Sequence, residues 1–309
     1  MTAQSDVPMT SIMLDRVAPW FRSSGENPDT EPISYRAWKY LWQQLPSPKS
    51  GNLFNRIERT DWDLLVILDA CRFDTLRAVS DCCVVGKAIS PASSTPEFLR
   101  QASERGVFDD TTYVSANPQV KNHPPTIDSN IVDVSETRWE TGLETVPLVD
   151  ILRESEERLR KGNRVVAHTL QPHYPHVCEL DGRTRPVPNG LHPTQRDVLT
   201  PNTQFQAVLA NGLIDLGEAR DSYRIAAEHA WHRASETAMD LSKDGYTVVI
   251  TADHGELFGE WGFVEHPVGV RIQELVSVPW VQFNPDMYLR DQDAKHSADE
   301  RLEALGYKV

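Results

Sequence analysis

Three aliphatic runs each end in side chains able to bind a cation or move a proton. LLVILDACRFD reaches Asp69; VVAHTLQPHYPH reaches Gln171, His173 and His176; TVVITADHGELFGE reaches Asp253 and His254. Carboxylate oxygen and imidazole nitrogen together suit a borderline divalent cation, and Gly255 lets the chain turn sharply after an adjacent Asp and His. Each cluster alone has a plainer explanation, since a carboxylate after a strand often caps the next helix and a lone His is usually a satisfied structural group. Three strand ends converging is a different matter, because open α/β sheets build their sites outside the carboxyl ends of their strands.

A fourth segment, ISPASSTPEFLRQASERG, offers the hydroxyls of Ser93, Ser94 and Thr95 just ahead of Pro96 and Glu97. Ser or Thr before Pro-Glu is a helix N-cap signature. It is equally a place for a nucleophile, because a helix N-terminus directs free N–H groups and partial positive charge at an anionic ester. Arg72 can pair with a substrate oxyanion or form a surface salt bridge. His229 and His232, three apart on a helical pattern, read as a solvated face, and Cys71 as a small buried residue.

The elements that must position these groups follow from periodicity. Strands are expected at 62–69, 82–85, 111–116, 164–170, 246–252 and 278–283, the first a continuous aliphatic run suited to a strand covered on both faces. Helical patterns lie between them at LVDILRESEERLRK and DSYRIAAEHAWHRASETAMDLSK. This alternation predicts an α/β fold, a layered α/β/α sandwich around a largely parallel central sheet. Residues 1–58 read as a flexible lead-in with one docking helix in SYRAWKYLWQQL, and 59–309 as a single catalytic domain. The stretch 178–215 reads as a long loop or small surface excursion.

The 309 residues carry 45 acidic and 31 basic side chains, a formal charge of -14, which argues against a nucleic-acid partner because that affinity depends on neutralising phosphates. An acidic surface keeps a protein soluble and tolerates high salt. Cys71, Cys82, Cys83 and Cys178 follow neither a CxxC metal pattern nor a disulfide scaffold, so free thiols in a reducing compartment are expected. No signal segment opens the chain and no run approaches the roughly 18 apolar residues of a membrane span, so a cytoplasmic protein without a transmembrane segment is expected.

TVVITADHGELFGEWGFVEHPVGVRIQELVSVPWVQF resembles the carboxyl-side signature of the sulfatase-like branch of the alkaline phosphatase superfamily, in which an Asp-His-Gly turn follows a core strand and a V-P strand comes later. WDLLVILDACRFDTLR resembles that family's opening strand with its metal-binding Asp, and QPHYPH its Pro-His-x-Pro segment, in the same order. The resemblance spans roughly residues 60–283 and implies an alkaline-phosphatase-like fold. It implies that Asp69, Asp253 and His254 bind a divalent metal ion, together with a hydroxyl nucleophile that opens the helix after the first strand. Thr95 is the choice for that nucleophile, as in the lipoteichoic-acid-synthase-like and phosphoethanolamine-transferase-like branches; Ser94 is the close alternative and Ser93 stays open. Ser94-Thr-Pro also resembles the start of the sulfatase C/S-x-P-x-R pattern, but Phe98 stands where Arg belongs and position 94 is not Cys.

Without formylglycine a plain alcohol must be activated by the metal, which favours phosphate mono- or diesters over sulfate esters and a covalent intermediate at Thr or Ser. The alternatives are a sulfuric ester hydrolase, a phospho-group transferase, or a binding protein that keeps the fold without the chemistry. His173 and His266 are expected to contact nonbridging oxygens or protonate the leaving group. The family's two-metal branches supply a D-x-x-x-H pair, whereas Thr169 stands four residues before His173. One firm metal site is therefore expected, with Arg72 as a substrate contact and Gln171, His173, His176 and His266 as substrate contacts or a weak second site. His266 can also replace the Lys found near this point in sulfatases. Mn or Zn is favoured because a His ligand disfavours Ca, with Mg and Ca open. The expected substrate is a small-molecule or a glycan- or lipid-linked ester. With Val309 soon after the V-P strand, a compact form is expected whose specificity comes from loops at 120–145 and 178–215; no oligomeric state is legible.

Overall fold

The computed structural model describes residues 30–44, 51–80, 85–127, 130–199 and 204–286. In chain order these form α1 (Ile33–Gln43), α2 (Leu53–Arg59), β1 (Leu64–Asp69), α3 (Phe73–Val79), β2 (Gly86–Ile89), α4 (Thr95–Arg105), β3 (Thr112–Ser115) and β4 (Ile131–Asp133). There follow α5 (Leu148–Arg160), β5 (Val165–Pro172), the hairpin β6 (Val177–Leu180) and β7 (Arg183–Pro186), α6 (Phe205–Ala210), α7 (Leu216–Lys243), β8 (Val248–Thr251), β9 (Leu257–Phe258), β10 (Val264–Glu265) and β11 (Ser277–Phe283).

Seven strands form one sheet in the order β2-β11-β8-β1-β5-β3-β4. β11 runs antiparallel to β2 and β8, and the other neighbours pair in parallel. All six residues of β1 are buried, as a central strand requires. The sheet is flanked by helices in the expected layered α/β arrangement. Among them, α7 offers a row of small residues (Ala219, Ala226, Ala227, Ala230, Ala234, Ala238), which lets the backbone approach closely, and Asp215 caps it by accepting from the N–H groups of Gly217 and Glu218.

The docking helix exists as α1. Tyr35 is buried and donates to the main-chain oxygen of Val264 at 3.1 Å, Trp38 donates to that of Trp261 at 2.9 Å, and Trp42 packs on Trp261 and Phe263. The helix thus holds the segment that leads to His266. Leu53, Phe54 and Ile57 of α2 belong to the main core, so the packed body begins ahead of residue 59.

The strand expected at 82–85 falls largely on residues 81–84, Cys82 and Cys83 among them, which like 1–29 lie outside the described residues. Within 178–215 the loop expectation needs correcting, because β6 and β7 pair there and α6 follows. Asp181 and Gly182 both take positive φ, 52° and 68°, the Asp-Gly arrangement of a two-residue hairpin turn. No helix among the described residues is long and apolar enough to cross a membrane.

Candidate active site

β1 and β8 are adjacent and parallel, so Asp69 and the turn after Thr251 emerge side by side. Asp253 and His254 are fully buried and Asp69 nearly so. Gly255 is required at this turn for lack of space rather than for a left-handed backbone. Its N–H donates to the Leu275 carbonyl at 2.7 Å, and a Cβ there would stand 2.0 Å from the Glu274 carbonyl oxygen. After Asp69 the chain turns through Ala70 at φ 59°, a left-handed conformation that costs a non-glycine residue free energy. Tyr223 of α7 holds this turn, donating to the Ala70 carbonyl at 2.7 Å and accepting from the Arg72 N–H at 2.9 Å.

Thr95 is the first residue of α4, with Ser94 as N-cap and Pro96 one position further in than expected. Neither hydroxyl caps the helix. Ser94 Oγ is buried and has no hydrogen-bond partner among the described residues, while Ser93 Oγ is occupied by Glu97, the Pro267 carbonyl and the Gly269 N–H. Thr95 Oγ1 turns into the strand ends instead, 2.8 Å from Asp253 Oδ2, 3.1 Å from His254 Nε2 and 3.3 Å from Asp69 Oδ1. His254 Nδ1 donates to the Gly255 carbonyl at 2.8 Å, which leaves Nε2 unprotonated and facing both carboxylates at 3.3 and 3.6 Å.

The electrostatics of this cluster call for a cation. Burial holds the His254 imidazole down to about 3, so it is neutral. Burial and the neighbouring Asp253 charge push the Asp69 carboxyl well above its ordinary value. Burial works against ionisation of Asp253 too, but His254, His168 and the Thr95 hydroxyl outweigh it and hold that carboxyl below the usual range. Asp69 and Asp253 share one buried pocket, and among the described residues their ion-pair partners are histidines, with no Lys or Arg; burying an unpaired carboxylate costs several kcal/mol. Three oxygens and one imidazole nitrogen fit Zn or Mn, which offsets that cost.

Asn117 and His168, absent from the sequence reading, lie against the candidate ligands Asp69 and Asp253. Asn117 Nδ2 donates to Asp69 Oδ2 at 3.0 Å, and His168 Nε2 lies 3.6 Å from Asp253 Oδ2 while Nδ1 meets the Tyr113 hydroxyl at 2.6 Å. Ser90 Oγ donates to the Asp253 carbonyl. Asn117 could have been found, since it stands just past the end of β3. His168 could not, since it reads as strand interior.

A second group lies next to the first. One ligand atom each from His173, Glu256 and His266 falls within 4.8 Å of the others. The His266 ring centroid is 4.6 Å from that of His254 and 5.0 Å from that of His173. Burial pushes the Glu256 carboxyl up to about 8. Glu256 was also missed, although it stands only three residues after Asp253.

The structure sets the remaining expected contacts apart. Arg72 is buried and its guanidinium is spent on ion pairs, with the exposed Asp74 at 2.6 Å and the largely buried Glu260 at 2.7 Å, as the salt-bridge alternative had it. Gln171 Nε2 donates to Thr145 Oγ1 and the Val146 carbonyl, both at 3.1 Å. His176 is buried among Tyr174, Phe205 and Tyr223 with Nδ1 2.8 Å from Ser222 Oγ. His232 is exposed on α7 and His229 half-buried. Cys71 is buried, and burial raises its thiol pKa, which leaves it unreactive.

No family model matches the chain, and no curated protein sequence matches it. Solved structures similar to it include the soluble domain of lipooligosaccharide phosphoethanolamine transferase A from Neisseria meningitidis, at 15% identity over 71% of this chain and 75% of that one, with a TM-score of 0.43. Another is the C-terminal periplasmic domain of EcEptC from Escherichia coli in complex with Zn, at 13% identity over 73% and 74%, TM-score 0.42. A third is a protein in the alkaline phosphatase superfamily from Vibrio parahaemolyticus, at 11% identity over 89% and 69%, TM-score 0.31. At TM-scores below 0.5 the overlap is too loose to transfer a residue or a role, and the chemistry rests on this chain's own side chains.

Proposed function

We propose that this chain is a metal-dependent phosphoester-cleaving enzyme of the alkaline phosphatase superfamily, with Thr95 as nucleophile and Asp69, Asp253 and His254 as ligands of a divalent ion. The observation that carries this reading is the Thr95 hydroxyl. A Thr at the start of a helix has a ready use as a cap, yet this one is directed at two buried carboxylates and an imidazole nitrogen. A bound divalent cation lowers the hydroxyl's pKa and offsets negative charge on the transferred group.

The chain's own residues do the rest. Asp253 Oδ2 accepts the Thr95 hydrogen bond and orients the oxygen lone pairs toward the ester. Thr95 Oγ1 bonds to phosphorus as the P–O bond to the leaving alcohol breaks; the bond pair stays on the leaving oxygen, and the proton lost by Thr95 reaches it through solvent. Free N–H groups of the first turn of α4 face the anionic ester. Water then attacks phosphorus, releasing phosphate and restoring Thr95. A second reading, in which an acceptor alcohol replaces water, is favoured by the near-complete burial of Thr95, Asp253 and His254.

The test is turnover of p-nitrophenyl phosphate, bis-phosphate, phosphonate and sulfate esters by metal-stripped protein refilled with Mn, Zn, Mg or Ca. Metal-restored phosphoester cleavage lost in Thr95→Ala and Asp253→Ala, with a phosphate-sized mass increase on the Thr95 peptide, supports the reading. Sulfate-only turnover, or activity that survives Thr95→Ala, overturns it; alcohol-dependent product selects transfer over hydrolysis.

A further inference from the structure

We infer that Tyr35 of α1 is a positioning residue for His266: α1 grips the main chain on either side of His266 and holds a strained hairpin in the conformation that turns the imidazole toward His254 and Glu256. The catalytic consequence rests on the function proposed above, with His266 as an ester contact, while the grip itself rests on contacts within the chain.

β9 and β10 form an antiparallel hairpin, with Val264 opposite Phe258 and Glu265 opposite Leu257, and its two ends lead to Glu256 and His266. His266 Nδ1 lies 3.3 and 3.4 Å from the Glu256 oxygens, and its ring centroid stands 4.6 Å from that of His254. Reaching this arrangement takes unfavourable backbone at two places. Trp261, between the strands, has φ 55° and ψ 22°, and Glu265, immediately before His266, has φ 55°. Left-handed backbone is an outlier for a side chain as bulky as Trp, and such residues persist only where the surrounding structure over-determines them. A return of Glu265 to negative φ would turn the chain that follows it, His266 first.

The structure that over-determines them is α1, 223 to 229 positions earlier in the chain. The buried Tyr35 hydroxyl donates to the Val264 carbonyl at 3.1 Å and accepts from the Val264 N–H at 3.3 Å, so one side chain satisfies both main-chain groups of the residue before Glu265. Among the described residues β10 has β9 as its one strand neighbour, and the Tyr35 hydroxyl supplies what a second would. Gln206 of α6 backs this contact, its Nε2 donating to the Val264 carbonyl at 3.0 Å and to the Tyr35 oxygen at 3.3 Å. The hold then extends both ways along the chain. Trp38 donates to the Trp261 carbonyl at 2.9 Å, and Gln43 Nε2 to the Val268 carbonyl at 2.7 Å, beyond His266. Tyr35, Trp38 and Trp42 surround Phe263 with ring centroids 5.6 to 6.3 Å away. These contacts offset the strain at Trp261 and Glu265, and the aim of His266 follows from them.

The experiment is a double-mutant cycle on the full chain. Tyr35→Phe removes only the hydroxyl. Glu265→Gly removes the strain, since glycine takes positive φ as readily as negative, whereas Glu265→Ala removes the same carboxylate and keeps the strain. One readout is the NMR signals of the His266 imidazole in metal-free protein, assigned by their loss in His266→Asn; the other is kcat for p-nitrophenyl phosphoesters after refilling with metal. In the wild type and in Glu265→Ala, adding Tyr35→Phe should move the His266 signals and lower kcat about tenfold; in Glu265→Gly the signals should stay and the loss shrink to about twofold. If circular dichroism shows Tyr35→Phe to be unfolded, Gln206→Ala takes its place in the cycle, because it loosens the same Val264 carbonyl. Unmoved His266 signals in the folded variant, or equal shifts in the Ala and Gly backgrounds, overturn the inference. Signals that move while kcat stays unchanged overturn the catalytic consequence. No ester turnover by the wild type overturns the proposed function, and the NMR readout then decides the grip by itself.

Discussion

Thr95 has three polar neighbours within 3.3 Å, and the separate roles of its oxygen and its methyl can be tested by substitution. Thr95→Ser keeps the oxygen and should retain measurable phosphoester turnover, while Thr95→Ala should lose at least about a thousandfold in kcat. Single-turnover kinetics on the refilled protein compares them. Asn117 touches no substrate in this reading, but it orients Asp69. Asn117→Ala should weaken metal binding about 10- to 100-fold, measured by competition with a chelator, with the fold unchanged. At this scale the sequence singled out Asp69, Thr95, Asp253 and His254, which stand at strand ends and a helix start, and the structure brings the four side chains together. It did not identify Glu256 as a partner of His266, because a pairing between residues ten apart across a turn leaves no periodic trace. It also singled out His176 and Gln171, whose Nδ1 and Nε2 are engaged by Ser222 and by Thr145 and Val146.

The elements were more legible than the contacts between them. Continuous aliphatic runs marked β1, β5 and β8, and their parallel pairing followed from the helices between them. The β6–β7 hairpin was missed because β6 is short and β7, Arg-Thr-Arg-Pro, has no apolar alternation, although Asp181-Gly182 was a usable turn signal. The reason for Gly255 was also out of reach, since a close approach to residues 274–275 is a tertiary fact. Gly255→Ala should therefore cost about 2–4 kcal/mol of stability by forcing the β8 turn away from the Gln273–Val276 helical turn. Urea denaturation measures it, and an unchanged midpoint would remove this account of the turn.

At the scale of the molecule, stability should depend on pH through His176. Burial lowers its pKa from 6.5 to about 3, so the unfolded chain takes up the proton first. Its contribution is full above about pH 6.5 and is lost as pH falls toward 3, at about 1.4 kcal/mol per pH unit. In His176→Asn the slope of unfolding free energy between about pH 4 and 6 should be shallower by that amount, followed by denaturant titration at each pH. The start of α4, which carries Thr95, is held by residues far along the chain. Ser93 and Glu97 at the start of α4 are tied to Gly269 and Arg271, some 174–176 positions later, and β1 lies between strands that begin at residues 165 and 248. During synthesis the central strand therefore waits for both neighbours, and the Thr95 loop waits for Arg271. The nascent chain therefore carries the start of α4 without these ties until residue 271 has left the ribosome, so on the proposed function catalytic competence arrives late and all at once.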